Sequence, residues 1–389
     1  MKKLLVIAVA LASVNAFATR ARMTSLGNAP HLIDTNTVFT NPADMFSVGG
    51  DYVNLESGAM NVSPNTAAPT ATAGGNDAEG MVVRSYGDAK AGLAIGHDSA
   101  LGLTLRTLAL NPGGVSPFPN ARNYYQQNPV ELSYGMKAGD LAWAATLVYS
   151  NYASKTGNNE KENTLGARFG LRGGAWDAYL GLGLANTYQN DQDGKFTGTL
   201  GLVLGGGMWM DTLYFSGKAQ MAGYKLESGS TAGVNAGAET AKVSGTIIDV
   251  NVIDSRKKDG NEFFYGAGLH NYMSKDSDGT EAKVNQLSLP IVIGLEQKAN
   301  SWLTLRGSVT QTVFLNNDKR ENNTATTVET SPGANNTAVA VGAGLNFDKV
   351  TVDGTLKGLT TSSAAAGGAA NQQLDGDDLF AQVGLTYMF

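Results

Sequence analysis

From about residue 80 to its last residue the chain repeats one pattern, segments of roughly ten residues in which apolar and polar side chains alternate. Successive side chains on a strand point to opposite faces, so period two marks strands with one apolar and one polar face. Between Ser301 and Leu315, Leu303, Leu305, Val309 and Val313 share one parity, while Thr304, Arg306, Ser308, Thr310 and Thr312 share the other. Leu287, Leu289, Ile291, Ile293 and Leu295 alternate with Gln286, Ser288, Pro290 and Glu296. Leu165, Ala167, Phe169 and Leu171 alternate with Thr164, Gly166, Arg168 and Arg172, and Leu141 to Tyr149 repeats the scheme. No helical period competes with it. The fold class is all-β.

A soluble sandwich also alternates. Three features favour a membrane barrel instead. The segments often run ten to fourteen residues, and a tilted membrane strand needs ~9–11. Tight turns at Gly173-Gly174, Ala138-Gly139 and Ala299-Asn300 alternate with long polar loops at Asn316–Asn336, Gly358–Asp377 and Asn151–Glu162. That is the outer-membrane arrangement of short periplasmic turns and long outer loops. Charged residues make up only 16 %, against roughly 25 % in soluble domains. The polar parity is written in Gly, Ser and Thr. These features predict a single transmembrane antiparallel β-barrel of 14–16 strands with a short non-barrel N-terminal segment. Strands are expected to begin near residues 80, 90, 101, 129, 140, 163, 175, 196, 211, 241, 262, 284, 302, 338, 349 and 378. Asp51–Ser57 would be a seventeenth, which breaks the even count, so it belongs to an N-terminal element or one hairpin is wrongly divided. The stretches 80–87 and 241–253 carry the weakest pattern.

Lys2 and Lys3 precede an apolar run from Leu4 to Ala12, and Ala16-Phe17-Ala18 offers small residues for cleavage. This is the pattern of a secretory signal peptide over 1–18. No later stretch of ~18 apolar residues could form a spanning helix. The expected organisation is 1–18 signal peptide, 19–48 periplasmic or lumen-inserted segment, and 49–389 barrel, placed in the bacterial outer membrane. Its partners would be outer-membrane lipid and lipopolysaccharide. The net charge of -6 and the lack of a basic patch argue against nucleic acid. With no cysteine there is no disulfide, thiolate metal site or cysteine nucleophile.

Leu379, Ala381, Val383, Leu385, Tyr387 and Phe389 form an apolar face that ends the chain. The terminus Val383-Gly384-Leu385-Thr386-Tyr387-Met388-Phe389 resembles the C-terminal signature of bacterial outer-membrane barrels. The resemblance implies that Tyr387 and Phe389 are read by the barrel-assembly machinery. Thr40-Asn41-Pro42-Ala43 is similar to the Asn-Pro-Ala element of outer-membrane long-chain fatty-acid transporters, in which an N-terminal hatch plugs a fourteen-stranded barrel. It implies a hatch containing Asn41, Pro42 and Ala43. A proline turn before the first strand explains the same residues. Thr19–Met45 also resembles major outer-membrane proteins of predatory deltaproteobacteria, which implies a porin-like role.

If the aliphatic parity faces lipid, the other faces the lumen. Its basic candidates are Arg106, Lys137, Arg168, Arg172, Lys218, Arg306 and Lys357, and its acidic ones Glu131, Asp177, Asp249, Glu296 and Asp353. In a water-filled lumen such charges set selectivity; in a filled one they pair across strands. His31, His97 and His270 are dispersed, and no nucleophile elbow, His-Glu-x-x-His or Walker loop occurs. His270-Asn271 lies on a strand without an identifiable serine. No enzyme, cofactor or metal is expected. Asp191-Gln192-Asp193-Gly194 and Asp276-Ser277-Asp278-Gly279 look like half a calcium loop, but hairpin turns explain them. Trp143, Trp176, Trp209 and Trp302, with Tyr134 and Tyr149, are expected in interfacial girdles.

The preferred function is a porin-like channel for passive diffusion of small hydrophilic solutes. One alternative is a plugged transporter of hydrophobic compounds. It predicts that Thr19–Val48 enters the barrel and that an apolar pocket lies beneath the outer loops. Pro290 within a strand would break a ladder bond and support a lateral opening, and Phe118, Tyr124 and Tyr125 in the loop Asn111–Asn128 would line the pocket. The other alternative is a non-conducting surface or adhesion barrel. A homo-oligomer requires a flat apolar outer patch that sequence does not reveal.

Overall fold

The computed structural model describes residues 19–58, 77–97, 129–155, 159–191, 194–229, 237, 239–276, 282–315, 318–322, 326–330, 336–360 and 380–389. The expected signal peptide, the strand near residue 101 and the loop Asn111–Asn128 lie outside them. The N-terminal segment holds one short helix, α1 (Arg20–Ser25), and two 3₁₀ turns, Thr37–Phe39 and Pro42–Phe46. The strands follow as β1 (Tyr52–Gly58), β2 (Asp77–Tyr86), β3 (Ala89–Ile95), β4 (Val130–Ala138), β5 (Leu141–Ser154), β6 (Glu160–Arg172) and β7 (Trp176–Asn190). Next come β8 (Gly194–Gly198), β9 (Gly201–Met210), β10 (Leu213–Ser228), β11 (Glu239–Lys258), β12 (Asn261–Asp276) and β13 (Ala282–Lys298). Last are β14 (Leu303–Phe314), β15 (Asp318–Asn322), β16 (Thr326–Thr330), β17 (Asn336–Phe347), β18 (Val350–Thr360) and β19 (Phe380–Met388).

All of them join one antiparallel sheet that closes on itself, with β1 paired to both β19 and β2. β7 and β10 both pair with β8 and with β9, so these are two pieces of one wall strand. β15 and β16 form a hairpin beyond the wall, because β14 pairs directly with β17. The closed wall therefore has sixteen strands. Asp51–Ser57 belongs to it: Tyr52 faces Met388 on one side and Val83 on the other. The even count survives because β3 pairs directly with β4, Ile95 opposite Val130, with no wall strand between them.

Two loop expectations need correcting. Pairing between β5 and β6 continues to Ser154 opposite Glu160, so most of Asn151–Glu162 is strand. Asn316–Asn336 contains the β15–β16 hairpin. Polar composition misleads here, since a strand that rises above the lipid keeps its ladder bonds while its side chains meet water. The short turns are as expected. Asp259 and Gly260 both have positive φ, the backbone of a type I′ hairpin.

Parity is as expected. Leu147, Phe169, Val250, Ile293, Val309, Val341 and Leu385 are exposed on the outer face, the face lipid covers. Thr146, Arg168, Arg306, Ser308, Asp353 and Thr386 are buried on the inner one. An arginine on the lipid side at the midplane would cost about 2–4 kcal/mol.

Candidate functional site

The buried inner face is covered by the N-terminal segment. The Arg20 backbone N–H donates to both Glu56 oxygens at 2.9 and 3.0 Å, and its guanidinium donates to Glu79 at 2.6 Å. Arg22 Nε donates to Glu296 Oε2 at 2.7 Å, and the same oxygen accepts from Arg306 Nε at 2.6 Å. Arg306 also donates to Asp353, whose other oxygen accepts from Thr19 at 3.4 Å. The side chains of Arg306 and Asp353 are both 0 % exposed. Buried charges persist only when paired, so this alternating row ties α1 to β13, β14 and β18.

The opposite wall holds the rest. Asn41 Oδ1 accepts from the Ala43 N–H at 3.1 Å, while its Nδ2 donates to the Leu171 carbonyl at 3.3 Å. Pro42 starts the turn that follows. Gly170 on β6 makes this seat, because a Cβ there would overlap Asn41 and the Ala43 nitrogen. Arg172 Nε donates to Asp44 at 2.7 Å. Lys90 donates to the carbonyls of Met45, Val48 and Gly50 at 2.8–3.1 Å. Between the two ends, His31 meets Glu262 at 3.0 Å and packs on Phe264. Phe39 stacks on His97, centroids 3.6 Å apart, and His97 meets Glu131 at 2.8 Å. Glu262, Glu296, Asp353 and Asp177 all lie a few residues from a short turn, so the segment crosses the barrel at that end.

Burial shifts the titrations within this segment. Desolvation raises the Asp34 carboxyl to about 8 despite the nearby Arg22, and raises Asp44 to about 6 against the pull of Arg172. Burial lowers the His31 imidazole, opposed by its bond to Glu262.

The predicted lumen residues face inward as paired groups. Arg168 is bonded to Glu131, Arg172 to Asp44 and Asp177, Arg306 to Glu296 and Asp353, and Lys218 to Asp249 at 3.0 Å. Asp249 also takes His270 Nδ1 at 2.6 Å, so that histidine belongs to a cross-strand ladder. Lys137 sits exposed at a strand end, and Arg106 lies outside the described residues. Asp191 accepts from Asn159, with the rest of its tetrapeptide only partly described. Tyr387 and Phe389 stack outside the barrel, centroids 6.1 Å apart, and Trp176 and Trp302 also face outward. Trp209 is a correction: it shares the lumen parity and packs on Tyr214 and His31. Sequence reasoning missed Arg20, Arg22, Asp34 and Asp44. The available signal was four charges in a stretch without strand alternation.

The wall is irregular at two places. The pairs expected between Gly268–Leu269 and Leu289–Pro290 are absent from the β12–β13 ladder, because proline has no N–H to donate. Leu184 forms a bulge in β7 beside the gap between β8 and β9. The bulge and the β8–β9 gap each shift side-chain parity by one residue, which turns Tyr188 and Phe196 into the lumen. There they are buried with Tyr224 and Leu226, while Ile247 and Tyr272 form a neighbouring cluster.

A closed sheet, an apolar outer band, aromatic strand ends and short turns at one end only occur together in lipid. The chain is an outer-membrane β-barrel. No protein-family profile matches it, and no curated relative is found. Among solved structures it is similar to the Pseudomonas putida toluene transporter TodX, at 12 % identity and TM-score 0.40, covering 95 % of this chain and 98 % of that one. It is similar to a Pseudomonas aeruginosa FadL homologue at 12 % identity and TM-score 0.40, covering 94 % and 95 %. It is also similar to the translocator domain of autotransporter NalP from Neisseria meningitidis, at 11 % identity and TM-score 0.33, covering 88 % and 89 %.

Proposed function

We propose that this barrel is a gated outer-membrane transporter of small amphipathic molecules, with Thr19–Val48 as its hatch. The observation that carries the reading is the row Arg22–Glu296–Arg306–Asp353 on one side of the lumen and Arg172–Asp44 on the other. A water-filled channel has no need to bond its lumen charges to its own N-terminal segment. The apolar cluster of Tyr188, Phe196, Tyr224 and Leu226 on the lumen side favours an amphipathic cargo over a purely hydrophilic one. The unpaired stretch at Pro290 favours a wall that yields locally.

Planar-bilayer recording of the refolded mature chain tests this. The intact chain is expected to stay nearly closed, and Glu296→Ala combined with Gly170→Val to raise conductance by an order of magnitude or more. A large, stable conductance from the unaltered chain would establish the open porin-like channel instead. Failure of the folded double variant to conduct would also sink the hatch.

A further inference from the structure

The N-terminal segment does not pack tightly all the way round. Between its residues 23–44 and the wall from β6 to β11 lies a cavity of about 330 Å³. Small-molecule sites begin near ~300 Å³. Gly205 and Gly207 of β9 shape the recess, since a Cβ at either would overlap the hydroxyl of Tyr179 or Tyr214. Trp209 and Tyr214 lie 5.0 Å apart between centroids, and the His31 ring meets Trp209 edge-on. The Tyr214 hydroxyl donates to Asp177 at 3.0 Å.

The polar lining is rich in acceptors. Among the described lining residues three carboxylates, Asp44, Asp177 and Asp249, face two basic groups, Arg172 and Lys218. His31 also borders the recess, with its imidazole fully buried. Its Nε2 sits on the Glu262 carboxylate and so carries the hydrogen, which leaves a lone pair on Nδ1. Nδ1 is buried and has no hydrogen-bond partner among the described residues, and the same holds for Ser216 Oγ. An ammonium group donates three hydrogen bonds, accepts none, and is attracted to the faces of Trp and Tyr. An anion would meet the surplus of carboxylates, and a neutral ligand would leave that surplus uncompensated.

We propose that this recess binds a small organic cation, a primary ammonium carried on an apolar or aromatic body. The proposal rests on the gated-transporter reading and names its cargo. It reverses the slightly positive lumen that a count of inward charges suggests.

Trp209 provides the reporter, because Trp143, Trp176 and Trp302 can be replaced by phenylalanine to leave it alone. Benzylammonium is expected to change Trp209 fluorescence saturably at pH 7.5, with benzyl alcohol at least tenfold weaker and benzoate without effect. Asp177→Asn, which still accepts from Tyr214, is expected to weaken benzylammonium about tenfold or more. Calorimetry on the unaltered chain repeats the three-probe comparison without any substitution. Equal binding of benzyl alcohol, tighter binding of benzoate, or no saturable binding would overturn the proposal. Conductance reports the hatch independently, so a gated barrel that ignores benzylammonium refutes the cargo and leaves the gate standing.

Discussion

Glu296 accepts from two arginines at once, Arg22 of the N-terminal segment and Arg306 of the wall. Removing one partner of a buried pair leaves a charge that nothing screens, at a cost of about 3 kcal/mol or more. Glu296→Ala should therefore release α1, seen as faster amide exchange over residues 20–25, while Glu296→Gln has a smaller effect. Asp34 supplies a pH dependence. Its docked value of about 8 lies above the ordinary carboxyl range, so docking holds a proton that release gives up. That contribution is full below about pH 4 and is lost as pH rises through 8. Asp44 acts in the same direction up to about pH 6. His31, lowered by burial, opposes both on the acid side of the ordinary histidine range. The alkaline limb thus belongs to Asp34. The chain has no cysteine, so buried Ser25→Cys makes a single thiol. Its labelling, normalised to exposed Ser47→Cys, should rise several-fold between pH 6.5 and 9. Asp34→Asn, which still accepts from Asn36 and Thr37, should flatten that rise.

Pro42–Phe46 is seated by one missing atom on β6. A valine at Gly170 would collide with Asn41 and Ala43, so Gly170→Val should expose residues 41–46 to exchange while 20–25 stay protected. Loss of protection at both ends would mean that the segment docks as a single unit. Element by element, alternation located the wall because lipid and lumen impose opposite demands on adjacent side chains. It misread the ends of β5 and β6, where no lipid acts on the outer parity. It misplaced Trp209, since residue type alone does not say whether an indole anchors in lipid or packs on an inserted segment. The Asn-Pro-Ala similarity pointed to residues that do touch the wall, but nothing in it named Gly170 as their seat.

At the scale of the molecule, closure joins β19 to β1, and the chain end meets Asp51 through the Phe389 N–H at 3.1 Å. Deleting Phe389 should lower the amount assembled in cells several-fold while leaving the barrel refolded in detergent nearly as heat-resistant. An equal loss in both settings would make the residue structural and not a signal. A β-barrel in an outer membrane follows from sequence alone, because period-two alternation, segment length and turn spacing are local properties that each strand carries in its own residues. The inward direction of Arg168, Arg172, Arg306 and Glu296 follows for the same reason. The sixteen-strand count and the place of Tyr52–Gly58 in the wall required pairing between segments far apart in the chain. The partners of the N-terminal segment likewise depend on three dimensions. Arg22 lies 274 positions from Glu296, and Thr19 lies 334 from Asp353. No local pattern records such partners: a charge on the lumen parity satisfies the strand equally well whether it faces water or a buried counter-ion.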